Sequence, residues 1–421
     1  MRVLVAVFAL PLALLPQSAV PRAERERFGH VLVVDAAGGG AYTDIQAAIG
    51  AAVAGDTVLV RSGQYAGFSL TGKGIAIVGE VGSTVVCQTT STVTGVPLGQ
   101  RVLLQNLELR MLSGSGFAGT GLGVTNNVGA VRIEECSLAA GIYSRQPGLN
   151  VSNSPDVIVR ACDLHGGGTY GASYPVEYAG PGGTAIGSQV AAYQSTFLGG
   201  EGGSGVGIIG GFGGAGWTQH AGELRVEQGV FQGGDGGDNT DCLHGTGGDG
   251  GPGLRIDPPW GTPVVRSVGS TFTGGAYGLH TCGYSGNDGP PVSSGSGSLV
   301  ISPGPARTLA APALVRDATT LTFTASGQVG ESVFLLISAH DGRETSPDYA
   351  GVLFAKPRYL LRVAIGTVPA SGTLTYAWPV PDELVPDNLC LTLTAQAVLA
   401  SPSSVVTLSN PVTIVVLDHA W

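Results

Sequence analysis

Gln194-Ser195-Thr196-Phe197-Leu198-Gly199-Gly200 returns as Gln228-Gly229-Val230-Phe231-Gln232-Gly233-Gly234 and again as Gly269-Ser270-Thr271-Phe272-Thr273-Gly274-Gly275. Earlier forms of the phrase are Arg160-Ala161-Cys162-Asp163-Leu164-His165-Gly166-Gly167 and Glu134-Glu135-Cys136-Ser137-Leu138. A recurring unit of this size cannot bury its apolar face alone and must stack on its neighbours. Marked by its apolar residue, the repeat falls at Leu107, Leu138, Leu164, Phe197, Phe231 and Phe272, spaced by 31, 26, 33, 34 and 41 residues. A rung of three short strands takes roughly 20 to 30 residues. The later rungs therefore carry insertions, and these are the Gly-rich stretches.

Working outward, His30-Val31-Leu32-Val33-Val34 reads as a first strand and is followed by one helix. Thr43 and Gln46 are placed for a capping box, Ile45, Ala48, Ile49, Ala52 and Val53 for an apolar face, and Gly55 for the stop. Such a helix predicts a lid over the first rung, whose bore and strand edges need cover. The segment from Tyr42-Thr43-Asp44-Ile45-Gln46 through Ala54-Gly55-Asp56-Thr57-Val58-Leu59-Val60-Arg61 to Gln64-Tyr65 resembles the cap and first turn of the pectin-lyase-like, right-handed parallel β-helix superfamily. The resemblance implies that fold for residues 28–303. It names no activity, because lyases, esterases, hydrolases and non-catalytic surface proteins share it.

Met1-Arg2, the apolar run Val3–Leu15 and Pro16-Gln17-Ser18-Ala19 have the layout of a signal peptide, expected over residues 1–22, and the run is too short to span a bilayer. A secreted, periplasmic or cell-surface protein follows, with no membrane-spanning segment. Of 421 residues 70 are Gly, 12% are charged, and the net charge is −10. Lysine occurs only at positions 73 and 356, which removes the basic stripe nucleic acid requires. The Ser/Gly-rich run Val292–Ser298 and Ser302-Pro303-Gly304-Pro305 reads as a linker. Beyond it, longer strands such as Leu321–Ala325, Val333–Ser338 and Leu389–Val398 predict an antiparallel β-sandwich over residues 304–421. Its closing segments Leu393–Val398 and Leu408-Ser409-Asn410-Pro411 resemble the C-terminal sandwich of secreted proteins of planctomycete-type bacteria.

Chemistry-bearing residues gather in the Gly-rich insertions. Asp235, Asp238, Asp241 and Asp249 alternate with glycines, and two readings stand. Inward-turned carboxylates would hold calcium; otherwise the segments are extended polyglycine-like loops with solvated aspartates. Asn239-Thr240-Asp241 matches the first acidic motif of polygalacturonases, without the further carboxylates, Gly-His-Gly and basic pair that those enzymes need. Cys242-Leu243-His244 and His280-Thr281-Cys282 are mirrored: a disulfide between Cys242 and Cys282 competes with a tetrahedral zinc site. Cys136 and Cys162 fall at one repeat position, about 4.8 Å apart in a stack, as a disulfide or as a ladder of free thiols. Tyr170, Tyr174, Tyr178, Trp217 and Trp260 sit in the insertions, placed either to stack on sugar faces or to fold down as covers. The expectation is a non-catalytic surface protein contacting a polysaccharide or cell-envelope glycan, or calcium, through residues 199–262. The alternative is a polysaccharide lyase or glycoside hydrolase acting on uronate-containing polymers, with Arg225, Arg255 and Arg266 available to a uronate carboxylate.

Overall fold

The computed structural model describes residues 28–111, 119–169, 177–205, 209–240, 245–257, 261–302, 304–355, 359–403 and 405–421. The expected signal peptide lies outside them. From Thr57 to Ser302, successive coils each add one short strand to each of three parallel sheets. Sheet I includes Thr57–Val60, Arg101–Gln105, Val157–Arg160 and Gly222–Glu227; sheet II includes Glu108–Arg110, Asp163–His165 and Thr196–Leu198; sheet III includes Leu122–Thr125, Leu149–Ser152 and Trp217–Gln219. Sheets II and III each contain eight strands. The chain is thus nearly all β, with one helix among the described residues.

In sheet II the register aligns Tyr65, Cys87, Leu109, Leu138, Leu164, Phe197, Phe231 and Phe272 in one file. Phe197 stacks on Phe231 at 4.6 Å and Phe231 on Phe272 at 5.0 Å between ring centroids. The expected file is confirmed from Leu138 onward, but its earlier member is Leu109 and not Leu107. Leu107 occupies the preceding position, that of Cys136, as Ser137 N donates to its carbonyl. Cys136 and Cys162 are free and buried, with Cys136 N 3.4 Å from Cys162 Sγ. The ladder of thiols is therefore the arrangement the fold adopts. Just before each of these positions the chain turns through a left-handed residue: Asn106, Glu135, Ala161, Gln194, Gln228 and Gly269, with φ between 51° and 61°. One residue makes each corner between sheets I and II, so the coil can close without a longer loop.

The helix spans Ile45–Ala51 and buries Ile45, Ala48 and Ile49 against the first coils. Its cap is Asp44, whose Oδ1 accepts from Ala47 N at 3.0 Å, and not the expected Thr43–Gln46 box. Gln46 instead trades two bonds with the backbone of Ser69 in the neighbouring coil. Val53 lies past the helix end and is exposed.

The Ser/Gly-rich run expected as a linker forms the last strands, Val292–Ser294 and Ser298–Ser302, of sheets III and I. Beyond them, a sheet of Thr308–Ala310, Thr320–Ser326 and Thr373–Pro379 faces a second sheet across a common core that includes Leu309, Phe323, Leu335, Leu393 and Ile414. The pairing is antiparallel except where Leu314–Arg316 runs parallel to Val406–Leu417 and where Ala350 bridges Thr407 in parallel. These layers are not hung on a tether. The first strand, Phe28–Val34, pairs in parallel with Thr57–Val60 and antiparallel with Leu389–Ala400, so one hydrogen-bonded sheet continues from the coils into the C-terminal layers.

Over its earlier strands the outward face of sheet I is consequently covered by the C-terminal layers. Leu59, Val78 and Leu103 pack on Val415 and Leu417, and Ile158, Ala191 and Tyr193 on Val352 and Phe354. Cys390, the lone thiol expected in the C-terminal part, sits in this seam 3.1 Å from Thr57 Oγ1, and burial pushes its pKa up to about 11. Arg132, 1% exposed, reaches across to Asp341 at 2.8 Å while holding Asp156 with two further bonds of 3.0 Å.

Candidate functional site

The Gly-rich insertions run out from sheet II and back toward sheet III as paired threads. The outward threads are residues 199–205, 233–240 and 274–280; the return threads are 210–216, 247–253 and 284–290. Their hydrogen bonds recur every three residues. Gly199, Gly202 and Gly205 donate to the carbonyls of Gln232, Asp235 and Asp238, and Gly233, Gly236 and Asn239 to those of Thr273, Ala276 and Leu279. Return threads repeat the pattern: Gly210, Gly213 and Gly216 donate to Thr246, Asp249 and Pro252. Outward and return threads are joined antiparallel, as Gly234 to Gly214, Gly237 to Gly211, Gly251 to Gly234 and Gly248 to Gly237.

A three-residue period is that of a polyproline II-type thread, which makes no hydrogen bonds within itself. In the Gly-Gly-Xaa pattern the first glycine donates to a parallel neighbour, the second to an antiparallel one, and the third residue faces out. A Cβ on Gly233, Gly234 or Gly213 would lie 1.9, 1.9 or 1.8 Å from a backbone carbonyl oxygen. None of these glycines has a positive φ, so close approach is what requires them. Here the interior is main chain, satisfied donor to acceptor.

In four triplets the third amide is caught by a side chain from the preceding coil. Asp235 Oδ1 accepts from Ala276 N, Asp238 Oδ1 from Leu279 N and Asp249 Oδ1 from Asn287 N, each at 2.7 Å, and Ser204 Oγ accepts from Asp238 N at 2.8 Å. These aspartates tie coils together and do not converge. Among the described residues, the trio of ligand-bearing side chains within 4.8 Å of one another is Asp317, Asp382 and His419, in the C-terminal layers. Asp241 and Cys242 lie outside the described residues. Cys282 is disulfide-bonded, while Cys87, Cys136, Cys162 and Cys390 are free.

Trp217 is fully buried: its Nε1 donates to Gln219 Oε1 at 3.0 Å and its ring meets Phe197 edge-on at 5.2 Å. It fills the bore between sheets II and III and offers nothing to a sugar. Tyr170, Tyr174 and Trp260 lie outside the described residues. Tyr178 is 57% exposed and leans on Phe212 of the next coil, their centroids 4.9 Å apart, beside the Arg145–Glu177 ion pair at 3.4 Å. Phe212 was not singled out in the sequence, although it holds the outward position of the triplets Gly210-Gly211-Phe212-Gly213-Gly214.

Carboxylates and guanidinium groups do converge under the C-terminal layers. Asp156 and Asp341, both held by Arg132, border a cavity of about 780 Å³ that Gln100, Arg101 and Arg343 also line. In the next outward column Arg160 pairs with Glu134 at 2.7 Å and Glu135 at 2.8 Å, and Glu134 Oε2 accepts from Thr413 N. Of the arginines noted in the sequence, Arg225 and Arg266 both pair with Glu223, at 3.7 and 3.2 Å. Arg255 lies in the strand Leu254–Ile256 of sheet III, away from both. Further along the column of Arg160, burial pushes the Glu227 carboxyl up to about 7 from its ordinary 4.5, with Arg225 and Arg307 pulling the other way. The folded chain therefore holds a proton between those values that the unfolded chain releases, and stability falls as pH rises from 4.5 through 7. Glu227→Gln is expected to remove this fall, stabilising by at most about 3 kcal/mol at pH 8 and leaving pH 4 unchanged, as urea unfolding at the two pH values will show.

No protein-family model matches the chain. No curated protein matches it. Among solved structures, the superoxide reductase (neelaredoxin) from Ignicoccus hospitalis aligns at 14% identity over 26% of this chain and 80% of its own, with a TM-score of 0.17. The enzymatically active domain of bacteriophage CBA120 tailspike protein 2 aligns at 8% identity over 89% of this chain and 74% of its own, with a TM-score of 0.18. At these scores neither likeness carries an argument. What stands is an all-β protein of long parallel sheets joined to mainly antiparallel ones. No helix among the described residues is long and apolar enough to cross a membrane.

Proposed function

We propose that the chain is a secreted or cell-surface right-handed parallel β-helix, braced by a C-terminal β-sandwich, that binds a polysaccharide or cell-envelope glycan without transforming it. The observation that carries this reading is the thread bundle: a stiff main-chain lattice that presents every third side chain outward. On such a platform Tyr178 and Phe212 form a ring surface beside a polar pair, the combination that sugar faces and hydroxyls favour. Preorganised rings lose little freedom on binding. The converging carboxylates point the same way, because both oxygens of Asp156 and one of Asp341 are held by Arg132, the other Asp341 oxygen accepts from Gly342 N, and together they support the sheet interface.

The test is a screen of the purified protein against acidic and neutral polysaccharides, reading retention on each polymer together with unsaturated products and reducing ends. Retention without product is expected, weakened about 10-fold or more in Tyr178→Ala and Phe212→Ala, since an exposed ring contact contributes roughly 1 to 2 kcal/mol. Product formation from a uronate-containing polymer would replace this reading with the lyase or hydrolase alternative.

A further inference from the structure

We propose a second, unrelated site: a first-row divalent cation of the zinc class held by Asp317, Asp382 and His419 at one end of the C-terminal layers. Asp317 follows the strand Leu314–Arg316 and is fixed by its amide, which donates to Leu417 O at 2.9 Å. Its carboxylate is 1% exposed, and neither oxygen has a hydrogen-bond partner. The nearest basic atom is His419 Nδ1, 3.5 Å from Oδ1. A buried carboxylate without donors is costly, so the position demands a cation that the protein's own hydrogen bonds do not replace.

The surroundings fit one. Asp317 opens into a cavity of about 480 Å³ also lined by Glu383, Asp387, Asp418 and His419. A carboxylate oxygen of Asp382 joins those of Asp317 and the imidazole nitrogen within 4.8 Å, close enough for three ligands to meet one ion after small side-chain rotations. Asp418 is already occupied, since its Oδ2 accepts from Asn388 N at 2.7 Å and its Oδ1 lies 2.9 Å from His419 Nδ1. Ligation of an ion through His419 Nδ1 would replace that contact with Asp418. One imidazole with two carboxylates suits zinc or manganese, whereas calcium takes six to eight oxygens; between the first two, zinc binds more tightly. The ion would tie together the chain's last turn, the bend after Arg316 and the loop that carries Asp382.

The experiment is calorimetric titration of the metal-stripped, untagged full chain with Zn²⁺ and, separately, Ca²⁺, paired with thermal unfolding. One zinc per chain is expected, bound more than about 100-fold more weakly by Asp317→Asn and by His419→Ala. Zinc should raise the unfolding midpoint of the parent and of neither variant. Without metal, Asp317→Asn should unfold later than the parent, because an uncharged amide removes the buried charge. His419 has a 62% exposed side chain, so its variant keeps the test open should Asp317→Asn not fold. Absence of zinc uptake, uptake undiminished in both variants, or calcium bound as tightly as zinc would each overturn the site.

Discussion

Gly213→Ala is expected to destabilise the protein by more than about 3 kcal/mol, and Gly50→Ala to stabilise it by about 0.5 to 1 kcal/mol. Both changes add one methyl group to a glycine. At Gly213 that methyl would sit 1.8 Å from the carbonyl oxygen of Gly234, and the obstacle is backbone, which cannot rotate aside. The shift needed to relieve it would also pull the Gly213 amide from Asp249 O, 3.0 Å away, and spread to the threads on either side. At Gly50, in the exposed face of the helix Ile45–Ala51, nothing lies within 4 Å of an added Cβ, so only the helical preference of alanine remains. Asp238→Ala gives the intermediate case, about 1 kcal/mol, because it strips a single side-chain acceptor from Leu279 N. Urea unfolding of the three variants checks the order. If Gly213→Ala cost no more than Asp238→Ala, the threads would be loose loops and the rigid platform would be lost.

How much of this was legible follows from what each repeat constrains. Phe197, Phe231 and Phe272 recur in an almost invariant frame, and the frame fixes their register. Nearer the start the phrase thins, and Asn106-Leu107-Glu108-Leu109 offers two leucines two residues apart. Both are buried, as residues two apart in an extended segment share a face, so pattern alone picked the wrong one. In the insertions, the extended polyglycine-like reading was available and so was its period. Gly-Gly-Asp-Gly-Gly-Asp at 233–238 states three residues per turn with two faces reserved for close contact, which makes the aspartates outward-facing ties and not inward-facing ligands. The zinc-class trio gives no such signal: Asp317, Asp382 and His419 are scattered in the chain and are brought together by two separate pairings, Leu314–Arg316 with Val406–Leu417 and Thr320–Ser326 with Thr373–Pro379.

The covered part of the outer face of sheet I left its trace in composition, as strands such as Val157–Arg160, buried at every position, cannot have one face in water. It is also where the second large effect is expected. Arg132→Met should destabilise by about 3 to 5 kcal/mol, the usual consequence of stripping one partner from a buried ionic group. Burial alone would depress the Arg132 guanidinium, yet Asp156 and Asp341 hold its pKa above the ordinary value. Its three nitrogens make five hydrogen bonds, a two-pronged grip on the Asp156 carboxylate, one bond to Asp341 and two to the carbonyls of Val131 and Asp156, while Cζ lies 5.4 Å from the centroid of the Phe354 ring. Methionine keeps the apolar contact with Phe354 but strips Asp156 of its guanidinium partner and leaves Asp341 with Arg101 alone, 3.5 Å away. Lysine should rescue little, because a single ammonium cannot grip Asp156 with two prongs and reach Asp341 as well. Neutralising the acids should rescue more: Arg132→Met with Asp156→Asn and Asp341→Asn is expected to recover at least half of the loss. Because Asp341 belongs to the C-terminal layers and Asp156 to the coils, the single variant should also separate a joint unfolding transition into two, visible when tryptophan fluorescence and circular dichroism are followed through one urea series. A cost below about 1 kcal/mol, or unchanged coincidence of the two probes, would mean that the apolar seam and the shared sheet at Phe28–Val34 hold the halves together without the charges.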